Sequence, residues 1–238
     1  MSQTSNPYAY DASVPAALAS VDERATFLQK TYSLLLAGVL TFAATLWAAG
    51  NVEPVSSGAA SLGEAIYGSR FGWLLYIGLF IGGGFVVHSV AEKSPINLIA
   101  FFGYAVLLGM LLAPFILFVA QSSPGVISQA ALITGVIFTG LTGWVFVSGK
   151  DFSFLRGALM IAFLALAAVG LAGWLFGFSL GLWFSAAIVV LMAGYVLYDT
   201  SKVLHHYPTH MYVSAAVVLL TDIVILFKHI VILLMNRD

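Results

Sequence analysis

The chain has no cysteine among its 238 residues, and only 8% of them are charged. The first absence excludes disulfides, thiolate nucleophiles and cysteine-ligated metal sites. The second excludes a water-facing surface, because a soluble domain is typically about 25% charged. With a net charge of -1 there is no basic excess to attract nucleic acid. The N-terminus also lacks a basic stretch followed by an apolar core, so no cleavable signal peptide is expected and the first hydrophobic segment would act as its own insertion signal. What the chain has in quantity is apolar: 61% hydrophobic residues and a mean hydropathy of +1.02. That composition belongs to an integral membrane protein.

A bilayer span needs about 20 mostly apolar residues. Residues 31–52 and 71–91 supply two. Residues 94–149 contain no Asp, Glu, Lys or Arg and are too long for one span; the QSSPG turn at 121–125 splits them. Residues 157–198 are equally free of charge and are divided by GFSLG at 177–181, and a last span covers 211–235. The expected fold class is all-α, an integral membrane bundle of seven transmembrane helices over residues 30–238. A polar cytoplasmic tail, residues 1–29, precedes it; residues 1–20 read as disordered, and Asp22 to Lys30 as the start of an interfacial helix. Lys and Arg concentrate on one side of the membrane: Arg24, Lys30, Lys93, Lys150, Arg156 and Lys202, against Arg70 alone flanking a span on the other. The positive-inside rule then puts the N-terminus in the cytoplasm and the C-terminus, with Arg237, outside. Lys228 falls in the outer half of the last span and would snorkel outward. The Gly-, Ser- and Pro-containing loop at 50–70 is expected to be irregular. Gly82–Gly84, and the spaced Gly135, Gly140 and Gly143, would let helices approach closely. Pro114 should kink or interrupt its helix. Trp47, Trp73, Trp144, Trp174 and Trp183 fall mainly near span ends as interfacial anchors.

Two aspartates break the apolar runs. Asp199, in GYVLYDTSK, lies near the inner end of the sixth span, and Asp222, in VLLTDIVILF, lies well inside the seventh. A carboxylate at membrane depth costs on the order of 3 kcal/mol or more, so such residues usually face an interior or an aqueous path. The short polar turn HHYPTH at 205–210 makes these two helices antiparallel neighbours, within reach of each other if they tilt. Two close carboxylates in a low dielectric cannot both ionise cheaply and tend to share a proton. Protonated, they would hydrogen-bond and hold the helices together; deprotonated, they would repel and attract a cation. Oxygen-only ligands favour a hard ion such as Ca²⁺. Two carboxylates fall short of the roughly 6–8 oxygens of a tight Ca²⁺ site, so binding would be weak and transient, as a conduction path requires. The plainer alternatives are a structural hydrogen-bonding role for Asp222 and an interfacial position for Asp199.

Other polar features carry less. GFSLG fits a nucleophile-elbow pattern, but that motif needs a strand-to-helix turn, and a Gly-Ser turn between apolar helices is the reading here. His205, His206 and His210 read as solvated loop histidines rather than a metal site. His229 lies seven residues beyond Asp222 on the same helix face, either extending a polar pathway or simply wetted at the helix end. Paired aspartates can activate water, and intramembrane aspartyl proteases use them. Their Gly-x-Gly-Asp is absent, Leu219-Leu220-Thr221-Asp222 standing in its place, and no enzyme is expected.

KDFSFLRGAL at 150–159, GYVLYDTSKVLHH and VVLLTDIVILFKHIVILL, standing along the chain in the family's order, together resemble the transmembrane Bax inhibitor motif family. The resemblance covers residues 25–235 and implies a seven-helix fold with the last helix surrounded by the others. For bacterial members it implies a pH-sensitive calcium leak in the inner membrane, gated by paired aspartates, here Asp199 and Asp222. No other cofactor is implied. Leak-type members also carry a gating arginine near the inner end of the second span. This chain reads FVVHSVAEKS there, which leaves His88 as the gating partner, with its own charge change near neutral pH, or as a histidine merely wetted at a helix end. A second subgroup resembles non-conducting modulators of an FtsH-type membrane protease complex. Retention of both aspartates favours the leak.

Overall fold

The computed structural model describes residues 14–235. Eight α-helices follow one another: α1 (Val21–Asn51), α2 (Val55–Tyr67), α3 (Gly72–Val90), α4 (Ile96–Ser122), α5 (Pro124–Ser148), α6 (Arg156–Phe176), α7 (Gly181–His205) and α8 (Tyr212–Met235). Seven are long and apolar enough to cross a membrane; the other, α2, has 13 residues. The sixth and seventh spans are thus α7 and α8. The fold is the expected all-α bundle of seven spans, and its boundaries fall where charge, glycine and proline interrupt the apolar runs. Arg237 lies outside the described residues.

Helix ends follow local chemistry. Ser20 and Glu23 form a capping box: Ser20 Oγ accepts the Glu23 N–H at 3.3 Å, and the Glu23 carboxylate accepts the Ser20 N–H at 3.2 Å. Donors left orphaned at a helix start are satisfied this way. As a result the interfacial segment and the first span form one continuous helix of 31 residues. At the other ends, α5 and α6 stop at Gly149 and Gly177, which take left-handed φ values of 58° and 73°, a conformation glycine adopts without a Cβ clash.

The last helix is central. α8 packs against α1, α3, α4, α5 and α7. Its Leu219, Leu220, Leu226 and Val231 are completely enclosed. α3 and α6, by contrast, bury few residues and turn Phe85, Ile161 and Phe163 outward. A central helix that is mostly apolar makes its single aspartate the more conspicuous.

Four expectations are corrected. The 50–70 segment is helical, not irregular, over Val55–Tyr67. Its small residues let it lie flat on α4: Ala59 is fully buried, and a Cβ at Gly63 would stand 2.9 Å from Pro114 Cβ. Pro114 does not interrupt α4, which runs on to Ser122, and its ring packs against Gly63 of α2. Among the glycines, Gly83 does allow close approach, since a Cβ there would meet Leu107 and Tyr104 side chains at 2.7 and 2.8 Å. Gly135, Gly140 and Gly143 do not, having nothing within 4 Å. Finally, the expected disorder of residues 1–20 falls partly on 1–13, outside the described residues. Residues 14–20 are tied down. The Ala16 N–H donates to the Tyr207 carbonyl at 2.9 Å, Pro15 bridges to Pro208, and Ala16 is fully buried.

Candidate functional site

Both aspartates are buried, Asp199 at 6% exposure and Asp222 at 5%. They sit on helices that pack closely against each other. Asp199 is six residues from the end of α7, about 9 Å along the axis, and Asp222 is ten residues into α8, about 15 Å. The carboxylates are close enough for Asp222 to feel the charge of Asp199. They form no hydrogen bond with each other among the described residues, and Asp222 Oδ2 is buried with no hydrogen-bond partner. The arrangement is a pair within electrostatic reach and incompletely satisfied. It can take up a proton, or attract a cation, without first breaking an existing bond to that oxygen.

The turn joining α7 and α8 closes this site from below. Tyr207 lies there. Burial, then the charges of Asp199, Asp222 and Tyr198, push its phenol well above its ordinary pKa. Its hydroxyl therefore stays neutral while both carboxylates act on it. Lys202, one turn after Asp199, holds its Nζ 5.7 Å from the Tyr198 ring centroid and 5.4 Å from that of Tyr207. These cation–π contacts station the ammonium beside Asp199, whose electrostatic partner it is, without forming an ion pair. Lys202 entered the sequence reading only as a topology marker. Its three-residue spacing from Asp199, which puts the two on one helix face, was the available signal.

A second set of contacts holds the turn to the neighbouring loops. Ser201 Oγ accepts the Phe152 N–H at 2.8 Å and donates to Asp151 Oδ1 at 3.2 Å. His206 Nε2 meets Asp151 Oδ2 at 2.8 Å, and His210 Nε2 lies 3.6 Å from Glu92 Oε1. His205 Nδ1 donates to the Ser201 carbonyl at 2.9 Å. The three histidines are therefore engaged rather than simply solvated. Desolvation opposes the charge on Asp151. Hydrogen bonds from Ser153 and His206, with the charge of His206, overcome it and hold the carboxylate at a pKa of about 2. Among the described residues no group of three or more His, Asp or Glu side chains is assembled to hold a metal ion.

His88 reaches α8, its Nδ1 lying 3.4 Å from Ser214 Oγ. It hydrogen-bonds neither aspartate among the described residues. His229 Nδ1 is buried without a partner. Beside it, Lys228 reaches from α8 to α3. Its Nζ rests 4.8 Å from the centroid of the Tyr76 ring on α3, where the ring face replaces part of the lost hydration.

The family model described as "Inhibitor of apoptosis-promoting Bax1" matches residues 24–238. An uncharacterised protein of Campylobacter jejuni is 31% identical over 209 residues, covering 86% of each chain. The Golgi anti-apoptotic protein of vaccinia virus is 30% identical over 234 residues, covering 98% of this chain and 94% of its own. Protein lifeguard 4 of Mus musculus is 28% identical over 222 residues, covering 90% and 86%. The family match spans all seven membrane-crossing helices, and the chain belongs to the Bax inhibitor family of membrane proteins.

Proposed function

We propose that this protein is a passive leak for calcium, or a similar hard cation, switched by a proton shared between Asp199 and Asp222. The observation that carries the reading is the unpartnered Oδ2 of Asp222, buried on the central helix within electrostatic reach of a second buried carboxylate. Protonated, the pair is neutral and lets α7 and α8 lie together. Deprotonated, it holds two like charges in a low dielectric. The helices are then driven apart and the pair attracts a cation from the aqueous side. With no third carboxylate assembled beside the pair among the described residues, the ion is held weakly and leaves again. No catalytic step is involved. His88, through Ser214, would modulate the position of the first turn of α8, and His229 would extend the polar path beyond Asp222.

The distribution of Lys and Arg supports a topology with the N-terminus and the α7–α8 turn in the cytoplasm and the C-terminus outside, and the bacterial relatives support a place in a bacterial inner membrane. The leak then opens as the cytoplasm becomes more alkaline. The direct test is calcium uptake into dye-loaded liposomes containing the purified protein, at about pH 6 and about pH 8, on either side of a histidine's ordinary range. Uptake above that of empty liposomes, rising with pH, is the expected result. No uptake at either pH from folded protein would remove the leak. A non-conducting partner of a membrane protease would then be the reading to pursue.

A further inference from the structure

The bundle has a lateral cleft unrelated to the aspartate chemistry. α1 and α5 each pack on α4 and α8 but leave a gap between themselves. At the end where α1 begins, the gap is closed by an edge-to-face contact between Tyr32 and Phe146, centroids 5.7 Å apart. Towards the other end the helices part around a cavity of about 740 Å³. Its lining runs from Tyr32 to Asn51 on α1, a rise of about 28 Å along the helix, nearly the full thickness of a hydrocarbon core of about 30 Å. The floor is Ile223 and Phe227 of the central helix.

The walls are almost wholly apolar; one lining hydroxyl, that of Tyr32 at the closed end, is buried without a hydrogen-bond partner. Thr134 and Thr139 both line the cleft, and both spend their hydroxyls on their own helix, donating to the Ala130 and Gly135 carbonyls at 2.7 and 2.6 Å. Asn51, at the mouth, donates to the Trp47 carbonyl at 2.8 Å. No charged residue lines the space. Water, ions and peptide backbone would all go unsatisfied there. The cleft opens sideways at bilayer depth, where the surrounding medium is lipid hydrocarbon. Trp47 stands exposed at the mouth, as an interfacial anchor beside a headgroup would. At about 30 Å³ per water-sized group, the volume takes on the order of 25 methylene-sized groups, more than one acyl chain contains.

We infer that this cleft is a binding site for one acyl chain of a membrane phospholipid, from the leaflet on the Trp47 side, inserted between α1 and α5 onto Ile223 and Phe227. The chain rests on the turn of α8 that follows Asp222. Binding at this site stands whether or not the protein conducts ions.

The test uses the full-length protein in phosphatidylcholine vesicles doped with phosphatidylcholine carrying a diazirine midway along one chain. After irradiation, adducts are mapped by peptide mass spectrometry. The expected result is labelling of Ile223 and Phe227 several-fold above the enclosed Leu219 and Leu226 of the same helix. The Gly135→Phe variant should lower that labelling several-fold while leaving the outward-facing Ile161 of α6 unchanged. Gly135 lines the cleft, and a Cβ there meets nothing within 4 Å, so the ring enters the space intended for the lipid. Ala131→Phe, also at the lining, serves if that variant fails to fold. Labelling confined to outward-facing residues would overturn the inference. So would α8 labelling that the folded variants leave unaltered, or cross-links between two copies of the protein through Trp47.

Discussion

Asp151 and Ser201 show how much of the inner face depends on single side chains. Ser201 is fully buried and serves two partners at once, accepting from the Phe152 N–H and donating to Asp151. Replacing it with alanine strands a backbone donor, which costs about 1–3 kcal/mol. Ser201→Ala should lower the midpoint of thermal unfolding in detergent by a corresponding amount, and an unchanged midpoint would show that the loop is not anchored there. Asp151 sets a pH window. Its folded pKa of about 2 lies below the ordinary 3.8, so its contribution to holding the loop is complete above about pH 4 and is lost as the pH falls through about 2. Exchange protection of the Ser153 amide, which donates to Asp151 Oδ1 at 2.9 Å, should follow that window once corrected for intrinsic rates. Asp199 and Asp222 were legible in the sequence because a carboxylate in an apolar run stands out by itself. The Asp151–His206 contact was not, because it joins residues 55 apart that only the folded bundle brings together.

At the scale of the helix, glycine spacing proved a weaker guide than charge. Charge-free runs and polar turns marked all seven spans, since bilayer thickness fixes how long a span must be. Which glycines serve packing depends on what faces them, and spacing alone does not tell. A Cβ on Gly109 would stand 2.7 Å from Thr45 Cβ and 3.2 Å from the Phe42 carbonyl oxygen. Part of what it meets is backbone, which cannot turn aside. Gly109→Ala should therefore push α1 from α4 and destabilise the protein by about 1–3 kcal/mol. Gly140→Ala, with open space around it, should be neutral or stabilising by up to about 1 kcal/mol, because alanine is the better helix former. Paired unfolding curves distinguish the two, and equal effects would mean that the α1–α4 contact is not tight. α2 escaped the sequence reading because proline and glycine usually signal loops. Here Pro54 precedes the helix and Gly63 meets α4.

The whole molecule places its central helix, α8, so that one end is tied down and the middle carries the unsatisfied carboxylate. The turn below α8 is held by the 14–20 segment through Ala16 and Tyr207, by Asp151 and His206, and by Glu92 and His210. Ala16→Asp would set a charge in a fully enclosed position, releasing the segment. Limited proteolysis should then cut near residues 14–20 faster than in the parent protein, and identical cutting would show that the segment is not docked. The central placement of α8 came from the family resemblance; hydropathy alone ranks the spans too evenly to single it out. The central claim is that protonation of the Asp199–Asp222 pair controls the leak. Asparagine cannot release a proton, so it leaves the pair permanently without that charge. The decisive measurement is liposomal calcium flux as a function of pH for the parent protein, Asp199→Asn and Asp222→Asn, each verified as folded. The account predicts a flux that rises with pH in the parent and stays low and flat in both variants. A variant that retained the parent's pH dependence would contradict it.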